Sequence, residues 1–173
     1  MDLTTKYLGL ELKTPLVLAA SPLSQKVDAI KNMEEQGLGA VVLHSVFEEQ
    51  IRAEENAIEE RIAASQNTSA EATSFFPNID FYTGPVEYLE HIRKVKAAVK
   101  IPVIASLNGT SAGGWTEYAK EIEQAGADAL ELNIYSVPTD PTVSAADIEN
   151  QGLEIVKSVK KAVSLPLSVK LSP

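Results

Sequence analysis

The chain has 173 residues, 45% of them hydrophobic, with nine glycines, nine prolines and no cysteine. That is enough to bury one sizeable core, and the cysteine count excludes disulfides, thiolate metal sites and a cysteine nucleophile. A formal charge of -9 and an isoelectric point near 4.7 repel phosphate backbones and anionic lipid, with no local cluster of lysine or arginine to offset this, so neither nucleic acid nor a membrane surface is an expected partner.

In chain order, the opening "MDLTTKYLGLELK" has neither a basic start nor an apolar stretch able to target or span a membrane. A soluble, cytoplasmic protein is the expectation. Five short apolar runs follow: "PLVLAAS", "GAVVLHS", "IPVIASLN", "ADALELN" and "LPLSVKLSP". Each has strand length and is rich in valine, isoleucine or leucine. Between them lie "DAIKNMEEQG", "VEYLEHIRKVKAAV", "TEYAKEIEQAG" and "GLEIVKSVKKAV", which have helical spacing and mostly end at glycine or before proline. The alternation predicts a parallel sheet covered by helices.

Two kinds of helix-to-strand joint recur in alternation. "EEQGLGAVVLH" resembles "EQAGADALELN", and "KAAVKIPVIAS" resembles "KKAVSLPLSVK". Repeated β/α units of this kind, with no glycine-rich dinucleotide fingerprint after the first strand, predict an α/β fold of the TIM (β/α)8-barrel type. Only about five of the eight units are visible, so residues 1–173 read as the amino-terminal part of one barrel domain.

Alternate strand positions share a face. Val17, Ala19 and Ser21 therefore align on the first strand, Val42 and His44 on the second, and Ile104, Ser106 and Asn108 on the third; Glu131 and Asn133 align on the fourth, Ser168 and Lys170 on the fifth. The polar members gather toward the carboxyl ends, where β/α barrels place their active sites. A buried strand carrying Glu131 and Asn133 on one face needs such a reason, because unpaired polar groups are costly to bury.

With these residues in hand, "TPLVLAAS", "GADALELN" and "LPLSVKLSP" resemble the dihydroorotate dehydrogenase family and the wider flavin-barrel group that includes the pyrimidine-reducing domain of dihydropyrimidine dehydrogenase. The resemblance covers nearly the whole chain. It implies an FMN-dependent oxidoreductase acting on the CH-CH group of a dihydropyrimidine, with dihydroorotate to orotate in pyrimidine biosynthesis as the leading reaction. It implies flavin contacts from Ala20, Ser21, Asn133 and Lys170, and from His44, which stands where the family usually has a lysine near flavin and substrate; Asn108, from its place on the third strand, is expected to reach the flavin-side cavity. Asn78 and Asn133 match substrate-contacting positions, and Ser136 falls at the position of the catalytic base. The family's second asparagine on the loop after the fourth strand is replaced by Pro138, so the match to orotate recognition is incomplete on both sides.

Each residue also has a structural reading. Lys170 can form an ion pair with Glu131, Asn133 and His44 can be satisfied core groups, and Ser136 can be a loop hydroxyl bonded to backbone. "VFEEQIRAEENAIEERIAAS" predicts a helix with Phe47, Ile51, Ile58 and Ile62 on one face, a packing or oligomer surface that permits a homodimer. The segment with Phe75, Phe76, Phe81 and Tyr82 reads as a long loop of the kind that covers active sites, its aromatics packing on a flavin or substrate or simply anchoring the loop on the barrel. "NGTSAGGWTEYA" resembles an anion-binding turn at a helix start. No metal site is expected, and the partner is a small-molecule substrate. Two rival functions stay open: a non-redox barrel enzyme using Lys170 as a Schiff-base nucleophile, and a non-catalytic barrel fragment.

Overall fold

A computed structural model describes residues 1–48, 85–109, 112–135 and 139–171. An antiparallel hairpin, β1 (Thr5–Tyr7) and β2 (Leu10–Leu12), precedes a five-stranded parallel sheet of β3 (Val17–Leu18), β4 (Ala40–Phe47), β5 (Val103–Asn108), β6 (Ala129–Ile134) and β7 (Leu167–Leu171). The sheet order β3-β4-β5-β6-β7 follows the chain. With crossovers of one hand, that order puts every helix on one side and curls the sheet, whereas a doubly wound sheet would reverse direction at a switch point. The result is an α/β partial barrel, as the alternation predicts.

The described helices are α1 (Val27–Glu35), α2 (Pro85–Ala98), α3 (Ala112–Ala125) and α4 (Ala145–Ala162). Ile30, Tyr88, Ile92, Trp115, Ile122 and Val159 from these helices pack on Val41, Leu43, Val103, Leu107, Leu130 and Leu132 of the sheet's outer face. On the inner face, Leu8, Leu10 and Leu12 of the hairpin cover Ala40, Val42, Ile104 and Ala129 and close the amino end of the partial barrel. The hairpin turns at Leu8 and Gly9, both with positive φ (53° and 79°), the pairing that a two-residue turn matched to strand twist requires. α4 starts seven residues before the apolar periodicity shows it, because Ser144 and Asp147 form a reciprocal capping box ahead of a polar first turn.

The alternating joints repeat in atomic detail. After α1, Gly37 N–H bonds Glu34 O and Leu38 N–H bonds Met33 O; after α3, Gly126 N–H bonds Glu123 O and Ala127 N–H bonds Ile122 O. Both are Schellman ends with glycine at positive φ, 99° and 94°. The second joint type is clamped by the same two glutamates. Glu34 accepts from Lys100 N–H at 2.9 Å, and Glu123 accepts from Ser164 N–H at 2.8 Å.

One irregularity breaks the sheet. Val42 pairs with Ile104 and Ser45 with Ser106, so Leu43 and His44 oppose Ala105 alone, a two-against-one β-bulge. At this point the Tyr88 hydroxyl of α2 donates to Ser106 O at 3.2 Å and accepts from Ser106 N–H at 2.9 Å. Tyr88 is fully buried, and burial holds its phenol far above the ordinary value, so it stays neutral and able to do both.

Tyr88→Phe keeps the ring but strands two buried backbone groups. Urea denaturation of the full-length protein should show a loss of about 1–3 kcal/mol for such unmade bonds; an unchanged midpoint would mean the hydroxyl is not needed there.

Candidate functional site at the carboxyl ends of the strands

The bulge sets which side chains face the barrel interior. Beyond it, alternation resumes one residue out of phase, so Ser45 and Phe47 point inward in place of His44. Registered rows then climb the inner face. Val42, Ile104 and Ala129 form an apolar floor; Ser45, Ser106, Glu131 and Ser168 form the next row; Phe47, Asn108, Asn133 and Lys170 lie abreast nearest the carboxyl ends.

The two upper rows are tied by hydrogen bonds. Asn133, only 2% exposed, donates from Nδ2 to Ser106 Oγ at 2.8 Å and to Ser45 Oγ at 3.2 Å. Ser106 Oγ donates to Glu131 Oε1 at 3.3 Å, and Lys170 Nζ donates to the same oxygen at 3.3 Å. With its proton committed to Glu131, Ser106 accepts from Ser45 across their 2.8 Å contact. The Glu131 side chain is 13% exposed and that of Lys170 46%. Partial burial works against the Lys170 ammonium, but Glu131 and the neighbouring Tyr135 outweigh it and raise its pKa. A lysine held protonated is a poor carbonyl nucleophile, which argues against the Schiff-base reading.

Among the described residues, six buried side-chain atoms have no hydrogen-bond partner: Ser21 Oγ at the turn after β3, Asn108 Oδ1 and Asn133 Oδ1 toward the strand ends, and both ring nitrogens of His44 and Trp115 Nε1 on the helix side. Buried polar groups are rarely left so. The first three present acceptor positions, and one hydroxyl donor, to whatever occupies the strand ends. Ala20 packs on the apolar inner cluster of Leu12, Ala40, Val42, Ile104 and Ala129. Asn78 and Ser136 lie outside the described residues, as do Pro138, the predicted anion-turn residues Thr110 and Ser111, and the aromatic cover segment.

Two expectations are corrected. His44 does not share the interior face with Val42, because the bulge turns it to the helix side, where its ring meets Tyr88 at 5.2 Å and His91 at 5.5 Å between centroids. His91 in turn bonds Ser24 O at 2.8 Å. Phe47 is not the start of a helical face; it ends β4 and is 42% exposed at the mouth of the sheet. The predicted anion-binding turn is also already faced by an acid. A Cβ on Gly114, in the first turn of α3, would lie 2.6 Å from Glu48 Oε1, and Glu48 is 3% exposed. Sequence alternation misses Ser45 and Phe47, since nothing in "AVVLHSVF" marks where the extra residue sits. Among the described residues there is no group of three or more potential metal ligands.

A β/α-barrel protein whose polar groups converge at the carboxyl ends of its strands is thus defined by fold and site together. The chain belongs to the dihydroorotate dehydrogenase family, which it matches over residues 2–173. It is 32% identical over 178 residues to the catalytic subunit of dihydroorotate dehydrogenase B (NAD(+)) from Methanocaldococcus jannaschii, covering 99% of this chain and 54% of that protein. It is 26% identical to the NAD-dependent dihydropyrimidine dehydrogenase subunit PreA of Escherichia coli K12, covering 99% of this chain and 42% of that one. The chain therefore spans about half the length of the relatives it matches. Among solved structures, histamine dehydrogenase from Rhizobium sp. 4-9 superposes with a TM-score of 0.59 at 11% identity over 98% of this chain and 33% of that one, a likeness of fold. Dihydrodipicolinate synthase from Bacillus anthracis does so with 0.51 at 14% identity, over 89% and 44%.

Burial, with a smaller contribution from His91, lowers the His44 pKa from 6.5 to about 4. A group whose folded value is depressed loses stability as pH falls, so the fold should weaken between pH 6.5 and 4, by on the order of 2–3 kcal/mol. Melting temperatures of the full-length protein from pH 7 to 4.5 should fall less steeply in His44→Leu than in the wild type; parallel curves would show that another group sets the acid limit.

Proposed function

We propose that residues 1–173 are the amino-terminal part of a single FMN-binding β/α-barrel domain, in an oxidoreductase acting on the CH-CH bond of a dihydropyrimidine ring. The observation that carries this reading is the set of unpartnered buried atoms, Ser21 Oγ, Asn108 Oδ1 and Asn133 Oδ1, around a partly exposed ammonium at the strand ends of a chain in this family. The dihydroorotate-to-orotate step of pyrimidine biosynthesis is the family's reaction and the first to test.

The residues present fit a flavin. Its ring and side chain carry N–H and hydroxyl donors, which the orphaned acceptors of Asn108 and Asn133 would take up, while the Ser21 hydroxyl and the backbone at Ala20 would meet its edge. Lys170 would bring positive charge to the ring, held in place by Glu131. When bound, the flavin supplies the hydride-accepting chemistry; the protein supplies position and electrostatics. Asn133 is anchored by two serines and would orient substrate with Asn78. Ser136, three residues beyond Asn133, is assigned the proton on the ring carbon. A hydroxyl needs a neighbouring acceptor for that role. We leave His44 out of the proposed cofactor set, because it faces the helix side beside Tyr88 and His91.

The relatives are named as subunits, so a partner subunit that passes electrons onward fits this reading, alongside a homodimer of the chain itself. Among the described residues no helix is long and apolar enough to cross a membrane. The proposed enzyme is cytoplasmic and takes a small-molecule substrate.

The visible absorption spectrum of the purified full-length protein tests the cofactor, with FMN expected on release. Anaerobic mixing with dihydroorotate or dihydrouracil then tests the chemistry. Ser136→Ala should keep its flavin and slow flavin bleaching by about 10²–10⁴-fold, the usual weight of a proton-transfer group. A colourless protein that takes up no added FMN would sink the reading, and an unimpaired Ser136→Ala would remove that serine from the chemistry.

A further inference from the structure

A planar amide has a donor arm and an acceptor arm of nearly equal size, so packing alone does not decide which one meets a ligand. At Asn133 the hydrogen bonds decide it. The donor arm runs to the row below, where Nδ2 meets Ser106 Oγ at 2.8 Å and Ser45 Oγ at 3.2 Å. The carbonyl arm is thereby turned away from the serines.

The serines can accept these protons because their own are directed elsewhere. A hydroxyl has one proton and two lone pairs. Ser106 gives its proton to Glu131 Oε1 at 3.3 Å and accepts from Asn133 and, at 2.8 Å, from Ser45. Ser45 gives one bond and takes one. The order therefore runs one way, from the Asn133 amide through the two hydroxyls to the carboxylate, and an ionised carboxylate can only accept. A neutral amide in place of Glu131 would lift that rule, because it can also donate; Ser106 could then direct its proton at Asn133 with the amide reversed. The same Oε1 receives the Lys170 ammonium at 3.3 Å. One carboxylate oxygen thus sets both an amide and a cation. The bulge completes the chain by bringing Ser45 into register with Ser106.

We propose that Glu131, Ser106 and Ser45 are positioning residues, and that the negative charge of Glu131 dictates the order of protons that turns the Asn133 carbonyl to the ligand. This rests on the reading of the site given above, in which Asn133 meets flavin and substrate, and adds what orients it.

Binding of orotate and of uracil to the FMN-loaded full-length protein, followed through the flavin spectrum, tests this without turnover, with the flavin reduction potential measured alongside. The pyrimidine that the wild type holds more tightly is carried through the variants. Ser45→Ala leaves the pair of Glu131 and Lys170 in place. It should weaken that pyrimidine by about threefold to tenfold, the usual weight of one hydrogen bond, with the potential and the melt unchanged. Ser45→Thr, which keeps a hydroxyl, should retain most of the affinity. Glu131→Gln should weaken the pyrimidine at least as much and also raise the potential, because Lys170 loses its counter-charge. Asn133→Asp tests the direction, since its side chain cannot donate to the serines. Adding Glu131→Gln to it lets the protons run the opposite way and should recover binding, and Ser106→Ala should abolish that recovery. A Ser45→Ala protein with wild-type affinity would overturn the inference, as would a Glu131→Gln change that weakens binding equally beside Asn133 and beside the Asn133→Asp substitution. A flavin-loaded protein that binds neither pyrimidine also overturns it while sparing the flavin; a protein that holds no flavin removes the underlying reading as well.

Discussion

The pair of hydrogen bonds between the Tyr88 hydroxyl and the backbone of Ser106 is the constraint on which the site depends. A parallel sheet resists an extra residue, because each strand must keep its ladder bonds and its alternation in step with both neighbours. In β4 the extra residue is accommodated, and a helix side chain satisfies Ser106 N–H and O at the break. Below this point the inner face is apolar and plugged by the hairpin; above it the inner face is polar. Tyr88 belongs to the outer, helical layer, yet it fixes the backbone of the residue whose hydroxyl organises the inner one. Ser106 Oγ is where Ser45, Asn133 and Glu131 meet.

That arrangement explains why the polar row can be buried at all. Asn133 loses water but gains two hydroxyl acceptors, and Glu131 is met by a hydroxyl and an ammonium. What remains unsatisfied is directional. Asn133 Oδ1 and Asn108 Oδ1 belong to the same registered row, on strands that lie side by side. Among the described residues neither oxygen meets a donor, and under the proposed function a ligand at the strand ends would meet two acceptors already desolvated and held by the strands.

Much of this is legible from the residues. The alternation of "VIASLN", "ALELN" and "LSVKL" puts Ser106, Asn108, Glu131, Asn133, Ser168 and Lys170 on one face, and the register bears it out in every pair. The twin joints at Gly37 and Gly126 follow from sequence echo and share their hydrogen bonds. β4 is where the reading fails, and for a physical reason. A strand's period of two has no memory of an inserted residue, so "AVVLHSVF" reads equally well in either phase after Leu43. Only the partner strand decides, through the pairing of Ser45 with Ser106. The early start of α4 is a milder case, since a capping box can begin a helix before any apolar stripe appears.

The same slip links the family resemblance to its departures. Turned outward by the bulge, His44 meets the rings of Tyr88 and His91 and stays uncharged near neutral pH. The cation that the resemblance places beside flavin and substrate is then missing from β4, and the interior near that strand end takes its character from Phe47. Pro138 stands, in the sequence, where the resemblance has a second asparagine, and proline offers no side-chain hydrogen bond. Beside these departures, the network through Ser106 that positions Asn133, Glu131 and Lys170 is intact.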